Sequence, residues 1–323
     1  MSIAKRGAIS TVPTSAYAIR TVRRTTRAEI SKRLGPFIAG ILAAKCAARL
    51  RAMSSERSLA IVLPAYNEAE RIGPALDELF GYLRRRGEEA RDGSLGAARL
   101  PGTIDILVVD DGSTDATATI VEARPEASGS GPDGTSLRVL RVQHGGKGAA
   151  VRAGMLAATA DLIVFADSDM ATPPDQLPLL VDALADHDLS LGSRIQPDGS
   201  DMRTSQPRYR RALGRVFHAL ASAWATGPVQ DTQCGFKGFT REAAHDLFAA
   251  QKIRSIVFDV ELIYMARRRG YRMAIVPVRW TDRRGSRLRP RPGIALTVAW
   301  DLFRIPFLHR GVRRVRRGQT PAD

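Results

Sequence analysis

The sequence predicts an α/β fold in which helices cover both faces of a mostly parallel sheet. From residue 58 onward, short apolar runs alternate with segments of helical periodicity, which is typical of such sheets. The runs lie at residues 59–63, 104–109, 137–142 and 162–165, and polar residues follow the first, second and last of them. Ligands bind at the carboxyl ends of the strands in sheets of this kind, so these polar residues form the predicted site.

Helices are predicted between the strands. The first has apolar residues at helical spacing, namely Ile72, Leu76, Leu79, Phe80 and Leu83. A short helix is expected around residues 116–123 and an alanine-rich one over 148–160. Residues 87–102 and 125–136 are rich in Gly, Ala, Pro and Ser, which predicts surface loops.

Basic residues are concentrated at the two ends of the chain. The 323 residues carry a net charge of +16, but residues 1–52 contain 11 Lys and Arg against one acid, and residues 283–323 contain 11 Arg against two acids. We therefore expect a basic extension over 1–52 that is poorly ordered or targeting, a catalytic domain over 53–285, and an arginine-rich amphipathic tail over 286–323. Basic ends around a nearly neutral body favour an anionic membrane surface. The body contains no zinc-finger spacing or RNA-binding sheet motif, so nucleic acid is not an expected partner.

The N-terminal residues leave three interpretations open. The apolar run 35–44 is too short to span a membrane, but it would fit a signal segment, and its Arg-, Ser- and Thr-rich surroundings would fit a transit peptide. Alternatively, translation begins at Met53. The two cysteines, Cys46 and Cys234, lie far apart in the sequence and suggest no disulfide framework, which fits a reducing compartment.

Asp167 and Asp169 stand one residue apart directly after the fourth predicted strand. On an extended backbone, side chains at i and i+2 point to the same side, so the two carboxylates would hold a divalent cation together. Paired aspartates also occur in loops where they only cap a helix or face solvent, and for the pair taken alone this alternative stays open.

A glycine-rich turn, residues 144–148 (HGGKG), precedes the alanine-rich helix. Its glycines would let the backbone approach a ligand, and helix-initial amides together with Lys147 attract anions, so the turn predicts a diphosphate site. The spacing differs from that of a Walker loop, and an ordinary turn with a solvated lysine is the alternative. Asp110 and Asp111 would accept hydrogen bonds from a base or ribose, or cap the helix that follows.

The sequence contains four motifs in a fixed order: PAYNE at 64–68, VVDDGSTD at 108–115, GKG at 146–148 and DSD at 167–169. Together they resemble family 2 glycosyltransferases with the GT-A fold. Four later motifs, GSR at 192–194, DTQCGFK at 231–237, FDVEL at 258–262 and VRW at 278–280, resemble the dolichyl-phosphate β-glucosyltransferase branch. The resemblance covers about residues 58–310. His144 stands where the family pattern has Asn, and Ser168-Asp169-Met170 replaces a more usual Ala-Asp-Gly.

The resemblance implies a Rossmann-like nucleotide-binding sheet and assigns roles to residues. It implies that UDP-glucose is bound by Pro64, Tyr66, Asn67, Glu68, Asp110, Asp111, Lys147, Gly148 and Asp167. It also implies that Asp167 and Asp169 hold Mg²⁺ or Mn²⁺ at the diphosphate, and that Asp231 lies near the reacting centre.

The reaction itself sets physical requirements. Breaking the bond between sugar and diphosphate builds negative charge on the leaving group, which a divalent ion and Lys147 would neutralise. A phosphate monoester, with a second pKa of about 6, is already ionised at neutral pH, so it needs cations to anchor it more than a strong base. The predicted catalytic residues are Asp231, Asp259, Arg194 and Lys237, and further cations for the acceptor are Arg208, Arg210 and Arg211. For these arginines a solvated helix face is the alternative. For Asp259 and for its neighbour Glu261, a role as structural hydrogen-bond acceptors is the alternative to a catalytic one.

The C-terminal stretch 294–308 is apolar but is interrupted by Asp301, Arg304 and Pro306. Flanking arginines and Trp300 predict a helix that lies in the membrane interface rather than one that spans the bilayer. A helix packed on the catalytic domain is the alternative. We expect peripheral attachment to the cytoplasmic face of a membrane.

The sequence therefore predicts an inverting glycosyltransferase that moves glucose from UDP-glucose to a polyprenyl or dolichyl phosphate. One alternative changes the substrates, to GDP-mannose as donor or a hydroxyl group as acceptor. Two others are a catalytically silent nucleotide-sugar binding protein and a nucleic-acid-binding protein. The intact pair Asp167 and Asp169 speaks against the silent protein, because a protein that only binds can lose its metal ligands.

Overall fold

A seven-stranded sheet forms the centre of the part of the chain that the structure, a computed structural model, describes: residues 57–92, 100–129, 131–132, 134–205, 208–283 and 292–312. The strands are β1 (Ser58–Ala65), β2 (Thr103–Asp110), β3 (Thr135–Arg141), β4 (Leu162–Ala166), β5 (Leu189–Ser193), β6 (Phe236–Thr240) and β7 (Met273–Pro277). Their order in the sheet is β3-β2-β1-β4-β6-β5-β7. Only β6 runs antiparallel to its neighbours, β4 and β5. The prediction of a mostly parallel sheet is confirmed.

The predicted apolar runs coincide with β1 to β4 to within two residues at each end. β1 pairs with β2 on one side and with β4 on the other. Ala65 lies opposite Asp110, and Asp110 lies opposite Arg141 on β3. The carboxyl ends of these strands therefore form one edge of the sheet, as the prediction of the site requires.

Eight α-helices are described: α1 (Ala69–Arg91), α2 (Thr117–Glu122), α3 (Lys147–Ala157), α4 (Leu177–Ala183), α5 (Arg208–Ala221), α6 (Arg241–Ala250), α7 (Phe258–Arg269) and α8 (Pro292–Leu308). The apolar stripe predicted for α1 is buried. The loop predicted from residue 87 begins later, because residues 88–91 are good helix formers and continue α1 to Arg91. The second predicted loop contains a short 3₁₀ turn, Pro125–Ser128, and ends where β3 begins.

Alternate residues of the strands face two apolar layers, one on each side of the sheet. Ala60 and Val62 of β1 belong to the layer that includes α3, α6, α7 and α8. Leu59, Ile61 and Leu63 belong to the layer that includes α1 and α4. The sheet is therefore covered on both faces by buried apolar residues.

The tail predicted over 286–323 is described only over residues 292–312, and the extension predicted over 1–52 lies outside the described residues. α8 packs on the catalytic domain through Leu302 and Ile305, which are buried. Trp300, Phe303 and Phe307 on the same helix are exposed. Across the described ranges, we find no helix with both the length and the apolar character that crossing a bilayer demands.

Candidate active site

The glycine-rich turn, residues 144–148, follows β3 and leads into α3, whose first residue is Lys147. The Asp111 carboxylate accepts hydrogen bonds from the backbone N–H groups of Gly145 (2.8 Å) and Gly146 (2.9 Å). Asp111 is buried, so its two oxygens are committed to holding the turn. Its role in this structure is to shape the predicted diphosphate site rather than to face solvent for a ribose.

An aromatic pair stands beside this turn. Pro64 pairs with Val109 near the carboxyl end of β1. Tyr66 directly follows the strand, and 40% of its surface is exposed. The Tyr66 ring stacks on the His144 ring, with centroids 4.2 Å apart. His144 Nδ1 lies 3.0 Å from the Asp111 carbonyl oxygen. The histidine that departs from the family pattern is therefore fixed in place by a ring contact and a hydrogen bond.

Asn67 and Asp110 tie together the loops after β1 and β2. The Asn67 side-chain oxygen accepts from the Thr114 N–H (2.8 Å), and the Asn67 N–H donates to the Ser113 hydroxyl (2.9 Å). Asp110 accepts from the Ser113 N–H at 3.2 Å. Asn67 has a φ of 55°, a left-handed conformation that asparagine tolerates better than most residues. Both predicted nucleotide contacts thus shape the edge of the site.

Glu68 binds the side chain of Arg71, one helical turn further on, at two points. This holds Arg71 Nη1 3.9 Å from Asp169 Oδ2. The same Nη1 is buried and has no hydrogen-bond partner among the described residues. Arg71 is a site residue that the motifs do not predict, although its i,i+3 spacing from Glu68 is a usable signal.

Asp167 and Asp169 lie in a turn after β4 rather than on an extended strand. The Met170 N–H donates to the Asp167 carbonyl oxygen at 3.1 Å, so the expectation of extended backbone here is wrong. The two carboxylates still interact, because burial and the nearby charge of Asp167 raise the pKa of Asp169. Asp167 Oδ1 also lies 2.6 Å from Lys147 Nζ. The turn therefore brings the predicted metal ligands to the predicted diphosphate site.

This donor set fits a divalent cation that binds together with a diphosphate. Two neighbouring carboxylates are suitable oxygen ligands for Mg²⁺ or Mn²⁺. Where side chains are described, no cluster of three or more His, Cys, Asp or Glu could form a complete cage. Mg²⁺ in nucleotide enzymes commonly takes one or two carboxylates and completes its coordination with phosphate oxygens and water.

Lys147 is held in its charged form. Burial alone would lower the pKa of this lysine, but the charges of Asp167, Asp259 and Asp169 outweigh that effect and raise it. Lys147 is a third exposed and sits at the first position of α3. It therefore presents a positive charge where the helix amides also favour an anion.

Arg194 and Asp231 form a nearly buried ion pair next to the end of β5. The guanidinium binds both oxygens of the carboxylate, with Nη2–Oδ1 at 2.7 Å and Nε–Oδ2 at 2.8 Å. Burial alone would raise the pKa of Asp231, but the hydrogen bonds and charge of Arg194 lower it to about 2. Trp280 contributes a further contact, with its ring centroid 5.6 Å from Arg194 Cζ. Trp280 lies in the motif at 278–280, but the sequence does not predict it as a site residue.

Lys237 and Asp259 form a second pair, deeper in the protein. Lys237 is fully buried on β6, and its Nζ lies 2.6 Å from Asp259 Oδ1 and 2.6 Å from the Cys234 carbonyl oxygen. Burial raises the pKa of Asp259, and the charges of Lys237 and Lys147 oppose this rise without cancelling it. Lys237 is thus committed to internal partners, whereas the sequence analysis expected it to anchor an acceptor.

The remaining candidates are Glu261 and the three arginines predicted to anchor the acceptor. Glu261 is a structural acceptor, since its carboxylate binds the backbone N–H groups of Lys252 and Ile253. Of the predicted acceptor arginines, Arg211 lies half-buried on α5. The side chains of Arg208 and Arg210 lie outside the described part of the structure.

Comparison with known proteins gives three findings. A sequence profile of glycosyl transferase family 2 matches residues 60–248. The dolichyl-phosphate beta-glucosyltransferases of Drosophila melanogaster and Homo sapiens are 36% and 33% identical to this chain over 245 residues, which is 73% of this chain and 71% of each relative. The crystal structure of M. tuberculosis glucosyl-3-phosphoglycerate synthase superposes with a TM-score of 0.51 at 21% identity, covering 84% of this chain and 86% of that one. The last likeness concerns the fold alone.

Proposed function

Because this chain belongs to glycosyl transferase family 2 and has the GT-A fold, we propose that it transfers glucose from UDP-glucose to a polyprenyl or dolichyl phosphate. In this reaction an acceptor phosphate oxygen bonds to the anomeric carbon of glucose, and the bond from that carbon to the UDP diphosphate breaks. Attack on the face opposite the leaving group inverts the anomeric configuration. The Drosophila melanogaster and Homo sapiens relatives are both named dolichyl-phosphate beta-glucosyltransferase, which supports this acceptor and this sugar.

The observation that carries the proposal is the meeting of Lys147 with Asp167 and Asp169 at the carboxyl edge of the sheet. Lys147 Nζ lies 2.6 Å from Asp167 Oδ1. Burial and the charge of Asp167 raise the pKa of Asp169. A cation and two carboxylates at a helix start suit a metal-bound diphosphate. A divalent ion bound by Asp167 and Asp169 would neutralise charge on the departing UDP.

The donor contacts follow from the same edge. The Lys147 ammonium group would bind the diphosphate, and the Tyr66 ring offers a face for the uracil base. The Gly148 N–H already donates to the Arg254 carbonyl oxygen, so the start of α3 would contribute through its dipole. Asp111, Asn67 and Asp110 would act by holding these loops in shape. Gly148 would act by letting α3 start close to the neighbouring backbone.

The ionisation state of Asp231 supports a phosphate acceptor over a hydroxyl acceptor. A sugar hydroxyl needs a general base with a pKa near the working pH, but Arg194 holds the pKa of Asp231 at about 2. Asp259 has a raised pKa, yet it is buried against Lys237. A phosphate monoester has already lost its proton and needs no such base. Arg194 and Asp231 would orient the acceptor phosphate, and Lys237 holds Asp259 in place through their ion pair.

The exposed side of α8 supports peripheral attachment to a membrane. Trp300 is 60% exposed, and Phe303 and Phe307 lie beside it on the same helix. Aromatic residues with arginines nearby are typical of helices that lie in the membrane interface. A lipid-linked acceptor would then reach the site without leaving the bilayer.

The test is transfer of radiolabel from UDP-glucose, and separately from GDP-mannose, into organic-extractable lipid with polyprenyl phosphate and Mg²⁺. We expect label from UDP-glucose only, and its loss when the metal is chelated. Label from GDP-mannose alone would overturn the donor. Binding of both nucleotide sugars with no lipid product would favour another acceptor or a silent binding protein.

A further inference from the structure

Residues 251–257, here called the bridging segment, form hydrogen bonds both with the glycine-rich turn and with α8. The Gly148 N–H donates to the Arg254 carbonyl oxygen at 2.9 Å, and Gln251 Nε2 donates to the Gly148 carbonyl oxygen at 2.9 Å. A Cβ on Gly148 would lie only 2.7 Å from the Arg254 carbonyl oxygen. Both backbone polar groups of the residue next to Lys147 are therefore held by the bridging segment.

Glu261 on α7 holds the bridging segment from the other side. Its side chain is fully buried, and its two oxygens accept the N–H groups of Lys252 and Ile253, each at 2.9 Å. His309, directly after α8, is also buried, and its Nε2 lies 2.7 Å from Glu261 Oε1. A buried carboxylate needs such partners, so Glu261 ties the segment and the end of α8 into one unit.

Two further bonds connect α8 to the same segment. The Ser255 hydroxyl donates to Asp301 Oδ2 at 2.5 Å, and Lys252 Nζ donates to the Leu308 carbonyl oxygen at 3.0 Å. A continuous path of hydrogen bonds thus runs from α8 through Glu261 and the bridging segment to Gly148. Beyond Gly148 it reaches Lys147, the cation of the proposed diphosphate site.

The opposite side of α8 carries the exposed aromatic residues. Trp224 stacks on Phe303 with ring centroids 5.7 Å apart, and Arg310 lies over the Phe307 ring at 4.6 Å. Trp300 completes this surface. Rings interleaved with arginine match the headgroup region of an anionic membrane in both polarity and charge.

We propose that Glu261 is a positioning residue through which the seating of α8 on an anionic membrane strengthens UDP binding at the glycine-rich turn. The inference rests on the proposed function, since it takes the turn as the diphosphate site. Coupling between two binding events is reciprocal, so membrane binding must tighten UDP binding by the same factor as UDP tightens membrane binding. We expect a factor of about five to ten, at the lower end of typical coupled sites.

The test uses equilibrium dialysis of radiolabelled UDP with the full chain in Mg²⁺, with and without vesicles of phosphatidylcholine and phosphatidylglycerol. Sedimentation of the protein with the same vesicles, with and without UDP, measures the reciprocal effect. For the unaltered protein, vesicles should lower the UDP dissociation constant by about five- to tenfold. His309→Leu should still sediment with vesicles, but the vesicle effect on UDP binding should fall below about twofold. His309→Gln, which keeps a side-chain N–H donor, should restore part of it.

His245→Leu is the matched control. His245 Nε2 lies 2.9 Å from the Ala158 carbonyl oxygen, at the far end of α3, so this variant loses a comparable bond away from the turn. It should keep the full vesicle effect on UDP binding. The proposal is overturned if UDP affinity is unchanged on vesicles that bind the protein, if the protein binds no vesicles, or if coupling survives in His309→Leu. Vesicle-dependent UDP binding without any glucose transfer would overturn the proposed function alone.

Discussion

Asp231 accepts three hydrogen bonds from Arg194, two from the guanidinium and one from the backbone N–H at 2.9 Å. Both side chains are almost fully buried, so each charge depends on the other for compensation. Removing one partner of such a pair lowers the free energy of unfolding by about 3–5 kcal/mol, because the remaining charge stays buried without compensation. The pair therefore contributes to the stability of the protein and would set the geometry of the proposed acceptor side.

Asp231 should stabilise the protein at neutral pH and lose that effect in acid. Arg194 lowers the pKa of Asp231 to about 2 from an ordinary 3.8, so the stabilisation is present above pH 4 and disappears as the pH falls towards 2. Its size is about 2–3 kcal/mol. In urea unfolding, the free energy of unfolding of Asp231→Asn should be well below that of the unaltered protein at pH 7, and the difference should narrow towards pH 3. A difference that stays constant with pH would contradict this account. Asp105→Asn is the control: Asp105 pairs with Arg138 in a partly exposed position, so its loss should change the free energy of unfolding little at either pH.

Asp169→Asn should abolish glucose transfer and yet stabilise the metal-free protein. Burial and the charge of Asp167 raise the pKa of Asp169 above the ordinary 3.8, so this carboxyl destabilises the fold increasingly as the pH rises above 3.8, and fully once the pH exceeds the raised pKa. Removing the charge should raise the melting temperature in chelator by about 2–4 °C, which corresponds to about 1 kcal/mol. Asp186→Asn, at an exposed position, should change neither property. A lower melting temperature for Asp169→Asn would show that the two carboxylates do not oppose each other.

Gly235→Ala should disturb the proposed metal site without unfolding the protein. A Cβ at this position would collide with the carboxylate of Asp167, which rests directly against Gly235. We expect the Mg²⁺-dependent affinity for UDP to fall by about tenfold, as when a residue supporting a metal ligand is lost. Equilibrium dialysis would measure it. Gly102→Ala, which has no other atom within 4 Å of the added carbon, serves as the control, and equal affinities in the two variants would refute the role of Gly235.

Trp300→Ser should weaken binding to anionic vesicles and leave UDP binding in solution unchanged. Losing one large apolar side chain from a membrane contact costs about 1.5–3 kcal/mol, or at least a tenfold loss of vesicle binding. Leu179→Ser removes an exposed apolar residue from α4, whose buried residues pack on the other face of the sheet. Sedimentation should separate the two variants. Similar vesicle binding by both would mean that α8 does not face the membrane.

The first half of the sheet could be predicted because its strands are short apolar runs that end in polar residues. β6 could not, since its sequence contains the charged Lys237 and Gly238 and has no uniform apolar pattern. Lys237 is tolerated in the core because its charge is paired with Asp259, which lies 2.6 Å away and 22 residues further along the chain. The antiparallel insertion of β6 between β4 and β5 depends on such distant contacts, which local periodicity does not report.

The same limit applies to the site. Motif order predicted that Lys147, Asp167 and Asp169 would meet, and the structure brings them together. The backbone at Asp167 and Asp169 is a turn, however, because the pair follows the strand rather than ending it. The contact between Glu261 and His309 spans 48 residues, and neither residue shows in sequence which partner it has.

The most direct measurement compares polyprenyl phosphate with the polyprenol of the same chain length as acceptors for glucose from UDP-glucose, using the purified protein and Mg²⁺. The account predicts transfer to the phosphate only, because Asp231 is held ionised at a pKa of about 2 and no positioned base is available to deprotonate an alcohol among the described site residues. Glucosylation of the polyprenol at a comparable rate would contradict it.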